Sequence, residues 1–349
     1  MSYQQELTLR LALGASRLDE QTRELHRSWL RAQQREDGGF GGREGESDPY
    51  YTSFGLRGLL IVDGIDEGVA AKATAFLRSK LDAKLGVVDL ISLIMAASIL
   101  EFTHGSDLMD AVRASRNRVG DALLSLRSAD GGYAKTPAGA AGSTYQTFLN
   151  LLCWELLERD EPEPDRVAKF LHGQRQWDGG FREIRVAKRA GVNPTAAGVG
   201  ALKSLGRLLP ANEQSTAEFL GEMQSDDGGM AANDRIPMSD LLSSCTGLIS
   251  LIDLEAVNRV NVQKLLRYAR SMERRDLVQS VASPLGAQAA MFDWEHAEDD
   301  DEPKPRDRSS ELPGGFHGFE FDQAVDVEYT FYGLACLALG ELCLSEIGE

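Results

Sequence analysis

The 349-residue sequence predicts an all-α protein built from repeated helical hairpins, and three observations carry that expectation. The first is a recurring tetrapeptide. Asp-Gly-Gly followed by a bulky residue stands at Asp37–Phe40, Asp130–Tyr133, Asp178–Phe181 and Asp227–Met230, and a copy without its Asp stands at Pro313–Phe316. Regular self-similarity at a period near 50 residues is the mark of a repeat architecture. The second observation is the helical spacing of apolar residues after each turn, as in Leu241, Cys245, Leu248 and Ile252. The third is a residue able to cap a helix just before each of those stretches.

The first hairpin takes its turn from Asp37–Phe40 and its second helix from Ser47 or Asp48 onward. The long gap to Asp130 requires a degenerate copy. Val87–Leu93 supplies it, aligning with Met238–Ser244, although its Gly-Gly turn is missing and Asp89 is the expected cap. The third and fourth second helices begin at Ser143 or Thr144 and at Asn193, the fifth at Ser239 or Asp240, the sixth at Asp326. Ser, Thr, Asn and Asp cap because their oxygens accept from free backbone N–H groups, each contributing about 1 kcal/mol. Glycine ends each first helix because it alone enters left-handed backbone conformations without penalty. The aromatic or Met that follows is expected to plug the hairpin. Six hairpins result, in a single domain spanning residues 1–349, with a polar, acidic insertion at 275–312 inside the last repeat. One hairpin cannot bury both faces, so neighbours must stack, as an open solenoid or as a closed ring. The small residues Ala196, Ala197, Gly198, Gly200 and Ala201 point to close inner packing or to room for a ligand.

Lys and Arg number 37 against 54 Asp and Glu, a formal charge of −17. That excludes a general nucleic-acid binder and a protein docked on anionic lipid, both of which need a basic face. Mean hydropathy is −0.27. No uninterrupted apolar run reaches the roughly 18 residues of a membrane span, and MSYQQELTLR does not read as a leader. Cys153, Cys245, Cys336 and Cys343 all lie in apolar helical stretches, without a CxxC pair. The expectation is buried, reduced thiols in a cytoplasmic protein.

The Gln-x-x-Asp-Gly-Gly-Phe repeat resembles the prenyltransferase and squalene-oxidase repeat, the family of protein prenyltransferase β subunits and, more distantly, squalene–hopene cyclases. Asp326–Leu334 is similar to the last inner helix of a prenyltransferase β subunit. The resemblance covers roughly residues 20–345. It implies a closed α/α toroid, six hairpins forming inner and outer helix rings. It also implies a zinc site made of an Asp-x-Cys pair and a later His. Here the Asp position matches Asp240, but Leu242 stands where the Cys is expected and Tyr329 where the His is expected. Leucine does not ligate and tyrosine rarely replaces imidazole, so the family's zinc site is expected to be lost. A rebuilt site from Asp240, Cys245 and His317 is the alternative. The Asp-x-Asp-Asp of the cyclases is absent, and the run Glu298–Glu302 reads as a solvated loop or a docking surface for a basic partner.

Several residues remain that could bind or react. Arg182, Arg185, Lys188 and Arg189 form a basic loop just before a helix N-terminus, a setting suited to a diphosphate. Tyr50, Tyr51 and Phe54, Tyr145 and Phe148, and Tyr329, Phe331 and Tyr332 gather at the starts of the second helices. In a ring, some face the centre, where they would bury an isoprenoid chain and stabilise allylic cation character. Asp48, Asp326 and Glu328 become neighbours on ring closure and would suit Mg²⁺ or acid–base work. The resulting expectation is a prenyltransferase β-subunit-like protein. Its cavity would hold an isoprenoid diphosphate, with the diphosphate on the basic loop and an acceptor near Asp240 and Tyr329. A non-catalytic scaffold and a terpenoid cyclase are the alternatives. The resemblance further implies a helical α-subunit-like partner or a protein acceptor.

Overall fold

The structure, a computed structural model, describes residues 3–81, 83, 85–137, 139, 141–275 and 312–347. The repeated turn explains its own sequence. In the fourth repeat the Asp178 carboxylate accepts from the Gly180 N–H at 3.0 Å. Gly179 takes φ +94°, and a Cβ there would lie 2.2 Å from the Ser215 carbonyl oxygen on the next outer helix. The motif therefore needs glycine twice over: for the left-handed backbone and for contact with the following repeat. Phe181 turns inward and is 2% exposed. Its N–H donates to the Thr195 hydroxyl at 2.9 Å, and its ring lies against Gly198. The same arrangement joins Phe40 to Thr52, Met230 to Ser244 and Phe316 to Thr330, with Gly55, Gly247 and Gly333 beneath. Tyr133 donates to Thr147 in the same way, but over Asn150 instead of glycine.

These turns link outer to inner helices. The outer ring is α2 (Glu20–Ala32), α4 (Glu67–Lys80), the pair α6 (Leu108–Ala114) and α7 (Arg116–Leu124), α9 (Pro164–Gln174), α11 (Pro210–Glu222) and α13 (Val262–Ser271). The inner ring is α3 (Pro49–Ile61), α5 (Val87–His104), α8 (Thr144–Leu156), α10 (Val192–Ser204), α12 (Leu241–Asp253) and α14 (Val327–Ile347). Each inner helix packs on the next, and α14 packs on α3, so the ring closes. Short ribbons accompany the helices: β1 (Met230–Ala231) pairs with β2 (Ser239–Asp240), and β3 (Phe316–His317) with β4 (Val325–Asp326). The six-hairpin α/α toroid is the observed architecture.

Closure joins the two ends of the repeat array. The sixth turn docks on the first outer helix, Gly314 against Trp29 and Leu25. His26 Nδ1 accepts from the Gly315 N–H at 3.2 Å, and its ring stacks on Phe316 at 4.6 Å.

Four expected caps are in place. Asp48, Ser143, Asp240 and Asp326 each accept from a backbone N–H three residues on, at 2.6–3.0 Å. Two expectations need correction. Gly86, not Asp89, precedes α5, and Gly191, not Asn193, precedes α10, neither with a side-chain cap. Asn193 instead sits inside its helix and accepts from the Thr246 hydroxyl at 2.7 Å.

The first helix, α1 (Tyr3–Ala15), lies outside the hairpin series. It crosses the C-terminal ends of the inner helices. Tyr3 Oη donates to Asp253 at 2.9 Å, Arg10 pairs with Asp253 at 2.7 Å, and Lys203 reaches Glu6 at 3.1 Å and Asp253 at 2.7 Å. Gly14 abuts Ala338 of α14. This helix forms a floor across one end of the ring.

One described helix, over Val327–Ser345, is long and apolar enough to cross a membrane by length and composition. Glu328 and Glu341 interrupt its apolar sequence. Here 72% of its apolar window is buried in the ring. The expected 275–312 insertion, with Glu298–Glu302, lies outside the described residues apart from Arg275 and Leu312.

Candidate functional site

The inner ring encloses a cavity of about 410 Å³ lined by all six inner helices and by Tyr3, Gln4 and Leu7 of the floor. Its size falls within the roughly 300–1,000 Å³ of small-molecule sites. Aromatic residues form one wall: Tyr50 and Phe54 from α3, Phe331 and Tyr332 from α14. They pack edge-on or tilted, with centroids 5.0 Å apart for Tyr50–Phe54 and 5.6 Å for Phe54–Phe331. Tyr145 and Phe148 add to the opposite side, where Phe148 meets Tyr3 at 5.7 Å. Aliphatic residues Ile91, Met95, Leu149, Leu152, Leu242 and Ile249 complete most of the lining, while Ala196 and Ala197 leave the space open.

Charge in this cavity is sparse and segregated. Glu183 and Glu328 lie at the mouth, near the N-terminal ends of the inner helices. Tyr50 donates to Glu328 at 2.8 Å, a bond that closes the ring between the first and last repeats. Burial raises the Glu328 carboxyl above the usual range, although Tyr50 partly offsets this by hydrogen-bonding the charged form. A carboxyl raised in the folded state adds stability below its ordinary pKa of about 4.3 and loses that contribution as pH rises through its folded value. Glu328→Gln keeps an acceptor for Tyr50 without the charge. It is expected to raise Tm at pH 8, with the gain shrinking toward pH 4 in thermal melts run across that range.

Arg57, on the third turn of α3, is the cation of the cavity wall. Its guanidinium lies 3.7 Å from the Phe331 ring centroid and 5.2 Å from that of Phe54. Burial lowers its pKa. It also lines a second space of about 870 Å³ between α1, α3, α5 and α8.

The residues singled out in the sequence fall in different places. Tyr50 and Tyr145 line the cavity; Tyr51 stands behind Tyr50, centroids 5.1 Å apart. Asp326 caps α14 and accepts from Arg43 Nε at 2.8 Å, and Arg43 also holds Asp322 at 2.6 Å. Asp240 uses one oxygen for the Ser243 N–H at 2.6 Å and the other for the Ser243 hydroxyl at 2.8 Å. Tyr329 lies beside Arg43, 5.8 Å from ring centroid to guanidinium, and its phenol is pushed up to about 12, first by burial and then by Asp240. Neither Asp240 nor Tyr329 is part of the cavity lining. The basic loop passes over the start of α8, where Thr144 N–H donates to the Glu183 carbonyl at 2.8 Å. Glu183 is its residue in the cavity wall. Arg182 turns to Gln174 and the Gly173 carbonyl, both at 3.1 Å. Arg189 pairs with Asp234. Arg185 and Lys188 are exposed.

The donor set does not fit the zinc site that the family resemblance implies. Leu242 faces the cavity, and both Asp240 oxygens are committed to the helix cap. Cys245 lies against Cys336. Among the described residues, no three His, Cys, Asp or Glu side chains are grouped as metal ligands.

Three features of the site were missed in the sequence: Arg57, Glu183 and the floor helix. Arg57 had a legible signal. Tyr50, Phe54 and Arg57 are spaced i, i+4, i+7, so they share one helix face.

A closed ring of six hairpins around an aromatic cavity defines an α/α-toroid protein with an internal chamber. The prenyltransferase alpha-alpha toroid domain matches residues 7–230 and 192–300, and the chain belongs to that family. Comparison with curated protein sequences gives no match. Among solved structures, the chain is similar to Candida albicans protein geranylgeranyltransferase-I complexed with GGPP: 15% identity, TM-score 0.62, covering 91% of this chain and 90% of that one. It is also similar to the type II terpene cyclase MstE from Scytonema in its apo form: 11% identity, TM-score 0.55, covering 96% and 99%. A single-residue variant of that cyclase, in complex with its substrate geranylgeranyl dihydroxybenzoate, gives 12% identity, TM-score 0.54 and 98% and 99% coverage. At these identities the likeness is one of fold.

Proposed function

We propose that this protein binds the chain of an isoprenoid diphosphate inside its ring and acts on it as a prenyltransferase. The observation that carries the reading is the cavity itself: apolar, aromatic on one wall, floored by α1 and built by all six inner helices. The transferase and the cyclase were both solved with geranylgeranyl compounds bound, which supports the ligand class. Arg185 and Lys188 are exposed near the mouth and would meet a diphosphate there, while the chain runs inward. Ionisation of the C–O bond would place cation character among Tyr50, Phe54 and Tyr332, whose π faces stabilise it.

A second reading has one observation in its favour. Glu328 is a half-buried carboxyl at the edge of an aromatic cavity, and desolvation raises its pKa. Such a group can give its proton to an alkene carbon and start a cyclisation. The product would then be an isomer of the substrate, with its diphosphate retained.

Burial contributes about 0.8 kcal/mol per methylene. Affinity is therefore expected to rise at least ten-fold from geranyl to farnesyl diphosphate, read as increasing ligand-induced thermal shifts at equal concentration. Equal shifts for geranyl, farnesyl and geranylgeranyl diphosphate would mean the chain is not in the cavity.

A further inference from the structure

Arg57 has no assigned work in that scheme. Its side chain is half-buried, with the guanidinium beside the Phe331 and Phe54 rings and lining the cavity. Among the described residues it makes no hydrogen bond and no ion pair, and the groups that act on it electrostatically are led by Tyr332, Cys245, Tyr145 and Tyr50. Glu328 feels the Arg57 charge across the cavity but makes its hydrogen bond with Tyr50, at 2.8 Å. On the other side, Glu155 is taken up by Ser204 at 2.6 Å and by the first N–H groups of α1. Glu101 is taken up by Arg113 at 2.5 Å. A half-buried cation that lines a cavity without a hydrogen-bonding partner is open to an anionic ligand there. The guanidinium fork matches a carboxylate in two parallel bonds. A single positive charge balances one carboxylate, whereas a diphosphate would leave excess negative charge beside Glu183 and Glu328.

We propose that Arg57 is an anion-binding site inside the ring that takes the carboxylate of a ligand whose apolar body fills the aromatic cavity. The proposal rests on the reading above only for that apolar body. It adds a carboxylic acid to the chemistry of the substrate or co-substrate, independently of any diphosphate at the rim. The hydroxyls of Tyr145 and Tyr332, both in the cavity wall, are further donors for the same group.

The test compares geranylgeranoic acid, geranylgeraniol and geranylgeranyl diphosphate by calorimetric titration into the full chain and into Arg57→Met and Arg57→Lys. The acid is expected to bind the wild type at least ten-fold tighter than the alcohol. Arg57→Met is expected to erase that preference while leaving the alcohol's affinity within three-fold, and Arg57→Lys to keep part of it. Equal binding of acid and alcohol to wild type, or an acid preference that survives in Arg57→Met, overturns the proposal while leaving the isoprenoid reading in place. Failure of all three compounds to bind overturns both.

Discussion

Lowering the pH from 8 to 5 is expected to cost the ring about 2 kcal/mol through His26 alone, rising to about 3 kcal/mol at pH 4. The side chain is fully buried, and burial, with Arg275 and Arg270 nearby, pushes its pKa down to about 3 from 6.5. A depressed value means that the folded state prefers the neutral ring. The stability is present above the unfolded value of about 6.5 and is lost as pH falls below it, because only the unfolded chain takes up the proton. The location gives the effect its consequence. His26 accepts from Gly315 and stacks on Phe316, so it clasps the first repeat to the last. His26→Gln keeps an acceptor but does not titrate. Denaturant melts of both proteins between pH 8 and pH 4 should converge as pH falls, and parallel curves would show that His26 is protonated without penalty.

Gly179→Ala is expected to destabilise by about 2–5 kcal/mol, combining backbone strain with overpacking. The left-handed backbone contributes about 1–2 kcal/mol of this. The remainder comes from the new Cβ, 2.2 Å from the Ser215 carbonyl oxygen, which forces the turn and α11 apart. Because the turn is the joint between two repeats, the loss should appear as a lower denaturation midpoint for the whole ring. Gly173→Ala is the control. It lies in α9, has nothing within 4 Å of its would-be Cβ, and should be neutral or stabilising by up to about 1 kcal/mol. Similar midpoints for the two variants would contradict this account of the repeated motif.

The legibility of the fold follows from that joint. Each turn needs glycine at a left-handed position and a plugging residue after it, so the requirement is written locally and repeats in the sequence. The second repeat lacks the turn and was legible only through the likeness of Val87–Leu93 to Met238–Ser244. Asp89 and Asn193 misled as caps because polar residues in a first helical turn look the same whether they precede the helix or sit within it. The site was less legible. The floor helix is positioned by Glu155, Lys203 and Asp253, about 150 to 250 residues away, and local pattern carries no trace of such contacts. The cations of the basic loop are close together in sequence, yet Arg182 and Arg189 are spent on neighbours. Arg57, a lone cation on an apolar helix, is the Lys or Arg among the described residues that lines the cavity.

The central claim is that the space inside the ring receives an isoprenoid chain, and calorimetric titration of geranylgeranyl diphosphate into wild type and Ala196→Trp tests it most directly. Ala196 lines the cavity, so a tryptophan there would occupy it, whereas Arg185 and Lys188 are exposed and outside the lining. The account predicts micromolar binding to wild type and at least a ten-fold loss in a folded Ala196→Trp protein. Unchanged affinity in that variant would place the ligand outside the ring and contradict the account.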